Sequence, residues 1–344
     1  MERDRRVVGT PAGVAIIISA MIGTGIFTTT GLMAGTGAGS GDILIAWLLG
    51  GILAICGALC YGELGANMPE SGGEYHYISR LLHPSLGFLS GWISLIVGFS
   101  APIAAVTIAM HAYLAQIFPG WPIRPMTVLT VILLSLLHAH DLRIGARIQV
   151  AFLIVKILLI GGFITGVIIM GKGYSHEIIT DVTPAFWFTS SYAVILIFVT
   201  FSYSGWNAAA YIGAEIIQPE KTLPRILIIG TLAVTIVYML VNYAYFSAVS
   251  TEQLAGVESV AHIVGTSLWG KTGGILISLL IAAGIVSTVS AMIITGPRVY
   301  EAMARDRLFP LSLAKLNKRG VPSRAVGFQA IIAIIFALTA TFSA

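Results

Sequence analysis

The chain has 344 residues, 57% of them hydrophobic and only 10% charged, with a mean hydropathy of +0.92. Soluble domains carry about a quarter charged residues, so one large water-soluble core is excluded. The net charge of +4 and pI near 9.1 have to be read against loops, and no nucleic-acid surface is expected.

Nine apolar runs follow along the chain, at roughly 12–36, 43–67, 86–117, 124–140, 147–170, 186–215, 225–249, 273–301 and 324–344. Crossing ~30 Å of hydrocarbon takes about 20 helical residues, so the expected fold is an all-α polytopic membrane protein with about nine spans. No long polar linker divides it, and 1–344 reads as a single membrane domain.

The first run follows a basic start and ends in small residues, as a secretory signal does. It is too long for a signal core and more spans follow, so an uncleaved first helix is expected. This run is interrupted by IGTGIF (22–27), where Gly23 and Gly25 flank Thr24. The second run holds the only cysteines, Cys56 and Cys60, four apart and without metal-partner residues. They read as packing residues, not as a disulfide or zinc framework. Glu63, ending that run, reads as a structural residue of a cytoplasmic gate. His138 and His140 flank a cytoplasmic loop and read as solvated.

Past Arg147 at its start, the fifth run contains one cation deep inside it, Lys156, in QVAFLIVKILLIGG. It lies too deep to reach the interface easily, and an intramembrane ionisable group marks a functional site by default. It is either a proton carrier donating to broken-helix carbonyls in place of a sodium ion, or a tether that stays charged. The sixth run carries a second small-residue interruption, FSYSGWN (201–207), and ends at Glu215, which reads like Glu63. Trp206 reads as packing, and Asn207 either binds substrate or braces the break. In the eighth run Ser287 and Ser290 line a cavity or bond back to their own helix. The polar stretch 304–325 is a basic loop explained by topology and contact with anionic lipid.

Lysine and arginine set the orientation. With a cytoplasmic N-terminus, the inside segments hold Arg3, Arg5 and Arg6, then Arg80, Arg143, Arg147, Lys221, Arg225 and every basic residue from Arg298 to Arg324. The outside loops hold only Arg124, Lys172 and Lys271. This asymmetry supports both the span count and a cytoplasmic N-terminus in the cell membrane.

Interruptions in the first and sixth runs fall on the first helix of two successive five-helix halves, about 10–170 and 186–344. Halves of five spans have opposite topology, and matching breaks point to a transporter site at the bilayer midplane. The alternative is that the glycines only allow close helix packing. A break frees backbone groups, which in hydrocarbon need a cavity to satisfy them. Amides around Thr24 and Gly25 suit a carboxylate. Carbonyls near Met21, Ile22, Phe201 and Ser204 suit an ammonium, with Gly23, Ser202 and Gly205 as the small residues that let a ligand approach. Such a pocket takes a zwitterion.

These motifs resemble the amino acid–polyamine–organocation family of amino acid permeases. The resemblance rests on IGTGIF, YGELGANMPESGGEYHYI (61–78), FSYSGWNAAAYIGAEIIQPEKTLPRIL (201–227), SAMIITGPRVYEAMARDRLFP (290–310) and Lys156 at the family's fifth-helix lysine. Arg307 stands where a glycine is more usual. The resemblance implies a five-plus-five inverted-repeat fold with discontinuous first and sixth helices, alternating access, and an amino acid held between the breaks. It also implies carboxylate binding by the Thr24 and Gly25 amides, ammonium binding by the Met21, Phe201 and Ser204 carbonyls, and Phe201 as gate. The lysine implies independence from sodium, with proton coupling or exchange.

The family's usual twelve spans imply that about three helices are missing here. An amino-acid-binding or sensing protein without transport is therefore the alternative expectation. A homo-oligomer would cover the exposed face, though nothing in the sequence supports one. No nucleophile–base pair, paired intramembrane carboxylates or metal cluster is present, so no enzyme activity, cofactor or metal is expected. The expected ligands are a neutral amino acid and, if coupled, a proton.

Overall fold

In the computed structural model, residues 6–170 and 181–339 are described. Arg3, Arg5, Lys172, the side chain of Arg143 and the last five residues of the expected ninth span lie outside the described residues. Eight helical segments are long and apolar enough to cross a membrane: Thr10–Ala34, Ser40–Asn67, Pro84–Ala115, Ile123–His140, Arg147–Met170, Ser190–Glu215, Pro219–Ala248 and Val260–Arg305. A ninth apolar helix, Ser323–Thr339, has 17 residues. Among the described residues there is no strand, only a bridge pairing Val8 with Ile216.

The breaks lie where the glycines and serines weaken the ladder. The first span stops as a helix at Met21 and resumes at Gly25. The sixth stops at Tyr203, passes through Ser204–Asn207, and continues as a 3-10 helix from Ala208 to Glu215. Two further irregularities have local causes. The third span contains a π-helical segment, Ser94–Ser100, just before Pro102, whose missing N–H removes one ladder bond. In the eighth, Trp269 and Gly270 leave helical geometry, Gly270 at a φ of +64°, so a continuous apolar helix begins only after that kink.

The eighth and first spans are the most buried, while the fourth and fifth present most of their surface outward. Cys56 and Cys60 are exposed, on the same outward face of the second span as Ile52 and Leu59. They are surface residues of the apolar belt, not packing residues. His138 corrects a second expectation. The fourth span turns Thr127, Val131, Leu134, Ser135 and His138 inward at helical spacing, and His138 is buried; His140 is exposed. Arg298, counted among the inside cations, is also buried.

Candidate functional site

The two breaks cross each other. Gly205 has a φ of +100°, which an L side chain rarely adopts, and a Cβ there would sit 3.0 Å from the carbonyl carbon of Ala20. Next to this crossing a Cβ on Gly25 would lie 2.7 Å from Ser202 Oγ and 3.1 Å from Ser202 Cα. The absence of a side chain at Gly25 is therefore needed for the half-helices to touch. Gly23 differs: a Cβ there would make an ordinary 3.5 Å contact with Thr288. Packing explains Gly25 without a ligand, and Gly23 and Thr24 are the half-buried, approachable part of the break.

The freed backbone groups can be followed one by one. Among the described residues no hydrogen bond uses the Thr24 or Gly25 amide. The Ile22 carbonyl accepts from Lys156 Nζ at 2.7 Å and from Thr288 Oγ1 at 2.8 Å. Lys156 also reaches Thr288 Oγ1 at 3.0 Å and the Ser19 carbonyl at 3.4 Å, and it is buried. Its ammonium is thus ringed by oxygens from the first and eighth spans. Met21 O faces the Tyr238 hydroxyl at 2.6 Å, and Ser202 O faces the same hydroxyl at 2.9 Å. One phenolic proton serves one carbonyl at a time, and Met21 O also accepts from the Gly23 amide at 2.9 Å, so it is the Ser202 carbonyl that is left without a donor whenever the phenol turns to Met21. The Phe201 carbonyl accepts from Ser204 N at 3.0 Å.

The remaining expected site residues lie near the crossing but do different work. Ser202 is buried, its Oγ 3.1 Å from Thr29 Oγ1 and donating to the Phe198 carbonyl. The Phe201 ring is 62% exposed, on a stripe with Val194, Ile197 and Ser204. Asn207 braces the break: its amide donates to Glu74 and to the Tyr211 hydroxyl, and that hydroxyl donates to Glu74. Trp206 packs edge-on against Tyr61, centroids 4.8 Å apart.

Ser287 and Ser290 neither face open space nor bond to their own helix. Ser287 donates to Ser19 Oγ at 2.7 Å, and Ser290 donates to Gln149 Oε1 at 2.7 Å while contacting His138 Nε2 at 2.6 Å. At the basic face, Glu215 and Arg298 form a buried pair with bonds of 2.8 and 3.2 Å. Glu63 is exposed at its helix end.

Sequence reasoning missed Tyr238, Ser19, Thr288, Glu74 and Gln149. Tyr238 and Asn242, four apart in an apolar span, were a usable signal: both turn inward, Asn242 accepting from Thr30 at 2.6 Å. Among the described residues no group of His, Cys, Asp and Glu is arranged to hold a metal ion.

A sequence profile of the family described as Amino acid permease matches residues 9–344. The chain is 30% identical over 326 residues to the Asc-type amino acid transporter 1 of Mus musculus, covering 92% of this chain and 61% of that protein. It is 30% identical over 341 residues to the serine/threonine exchanger SteT of Bacillus subtilis, covering 97% and 77%. It is also 30% identical over 357 residues to the human large neutral amino acids transporter small subunit 2, covering 97% and 64%. Among solved structures, a Na+-coupled sialic acid symporter in a substrate-bound outward-open state has a TM-score of 0.67 at 14% identity, covering 96% of this chain and 73% of that one. At that identity the likeness concerns the fold alone.

Proposed function

Because this chain belongs to the amino acid permease family, we propose that it is a secondary transporter of neutral amino acids, sodium-independent and working by proton coupling or exchange. It spans about 61% of the length of the Asc-type relatives, and the activity is proposed for the chain as it stands. The observation that carries the reading is the meeting of the two breaks. The Thr24 and Gly25 amides lie without partners on one side, and the Met21 and Ser202 carbonyls share one hydroxyl proton on the other. A carboxylate suits the first pair, because backbone N–H groups at a half-helix start carry partial positive charge. An ammonium, with three donors, suits the second.

Lys156 supports the sodium-independent part. Its ammonium takes up the oxygens of Ser19, Ile22 and Thr288, leaving that cluster no need of a metal cation. The relatives' names favour neutral substrates and exchange. In this reading the first, second, sixth and seventh spans rock against the others, with the N-terminus cytoplasmic. Ligand bridging the breaks stabilises the closed states because it contacts both only there.

Counterflow tests the proposal. Proteoliposomes preloaded with one unlabelled neutral amino acid should accumulate the labelled form in sodium-free buffer, with and without an imposed pH gradient. Binding of the amino acid without any counterflow would overturn the transport reading and leave a binding protein. Accumulation only in sodium would overturn the assignment of Lys156.

A further inference from the structure

Away from the breaks, Arg6 and Arg147 line one open cavity of about 570 Å3. Its other walls are apolar, including Val7, Pro11, Val150 and Ile217, and among the described residues no carboxylate lines it. Among the described residues neither arginine has an ion-pair partner. Two guanidiniums facing one apolar-walled space call for an anion with an apolar part, and the planar guanidinium suits phosphate oxygens.

The position favours a lipid over a free ion. Arg6 precedes the first span and Arg147 begins the fifth, so both stand at headgroup level. The same face carries the basic loop, since Asn317 donates to the Ala139 carbonyl at 3.0 Å and Arg319 pairs with Asp141 at 3.4 Å. The cavity also lies at a joint. Val7 and Val8 donate to the Glu215 carbonyl at 2.9 Å and Ile217 to the Val8 carbonyl at 3.0 Å. One wall is thus built by the first and sixth spans, and the other by the fifth.

We propose that this cavity binds the headgroup phosphate of an anionic phospholipid, its acyl chain running along the apolar wall. The lipid bridges the first and fifth spans at the basic face.

Purified chain in neutral detergent should retain phosphatidylglycerol at about one molecule per chain, and not phosphatidylcholine, by native mass spectrometry. A cation near an anionic headgroup is worth about five-fold in affinity, so Arg6→Gln and Arg147→Gln should each weaken binding about five-fold and together about 30-fold. Lys315→Gln with Lys318→Gln, exposed on the same face, should leave retention unchanged, as should inorganic phosphate at millimolar concentration. Equal retention by the double arginine variant would overturn the proposal. So would equal weakening by the loop variant, which would mean diffuse attraction, or displacement by inorganic phosphate, which would mean a free-anion site. Either single arginine variant alone suffices if the double variant unfolds.

Discussion

Lys156 Nζ lies 2.7 Å from the carbonyl oxygen of Ile22, the capping residue just past the first half-helix of the broken span. A cation from an outer helix thereby satisfies a backbone oxygen that the break set free. Removing it leaves that oxygen only the Thr288 hydroxyl and takes the donor from Ser19 O, and a buried polar group left without its partner costs about 1–3 kcal/mol. Lys156→Ala should therefore lower uptake at least roughly five-fold, while the purified protein keeps its elution volume. Unchanged uptake would mean that the break holds its shape without the lysine.

Tyr238→Phe deletes one oxygen and leaves the ring packed against Trp47 and Tyr203. Both the Met21 and Ser202 carbonyls lose their shared donor. Nothing then competes with a substrate ammonium for these oxygens, so the expected result is a KM lowered about five-fold or more, one buried polar contact being worth about 1–3 kcal/mol. Initial-rate uptake across substrate concentrations measures it. A fall in maximal rate with unchanged KM would separate Tyr238 from substrate binding.

The glycines of the first break give a sharp contrast. Gly23→Ala adds a methyl at an ordinary contact distance from Thr288, whereas Gly25→Ala places one against Ser202 Oγ and backbone. Overpacking of this kind costs about 1–3 kcal/mol. Thermal unfolding in detergent should show Gly23→Ala close to wild type and Gly25→Ala destabilised. Equal stability of the two would remove the packing explanation for Gly25.

Glu215 and Arg298 are both buried and bonded to each other. Glu215→Ala leaves the guanidinium buried and unpaired, which costs about 3–5 kcal/mol. Replacing both with Met should recover much of that loss, because the buried charge goes too. A double variant as unstable as Glu215→Ala would show that the pair does more than neutralise itself.

Both breaks were legible because small residues inside apolar runs leave a local mark, and Lys156 because a lone cation in a span has no other explanation. What stayed hidden depended on contacts distant in sequence. Tyr238 looks like any aromatic residue of an apolar span until the two carbonyls it faces are placed. Glu74 sits in a polar block whose reach to Asn207 spans more than a hundred residues. His138 was misread because a histidine at a helix end resembles a solvated one, and only the inward stripe from Thr127 decides otherwise. The close approach of Ser202 to Gly25 also depends on packing between elements distant in sequence. The π-helical turn before Pro102 belongs to backbone geometry that hydropathy does not carry.

The most direct test of the zwitterion cradle is equilibrium binding of a neutral amino acid to the purified chain in sodium-free buffer, compared with its methyl ester and its des-amino analogue. Hydrogen bonds to charged groups are worth about 1.5–3 kcal/mol each. Each analogue is therefore predicted to bind at least about ten-fold more weakly than the amino acid. Equal affinity for all three would contradict a site built from the two broken helices.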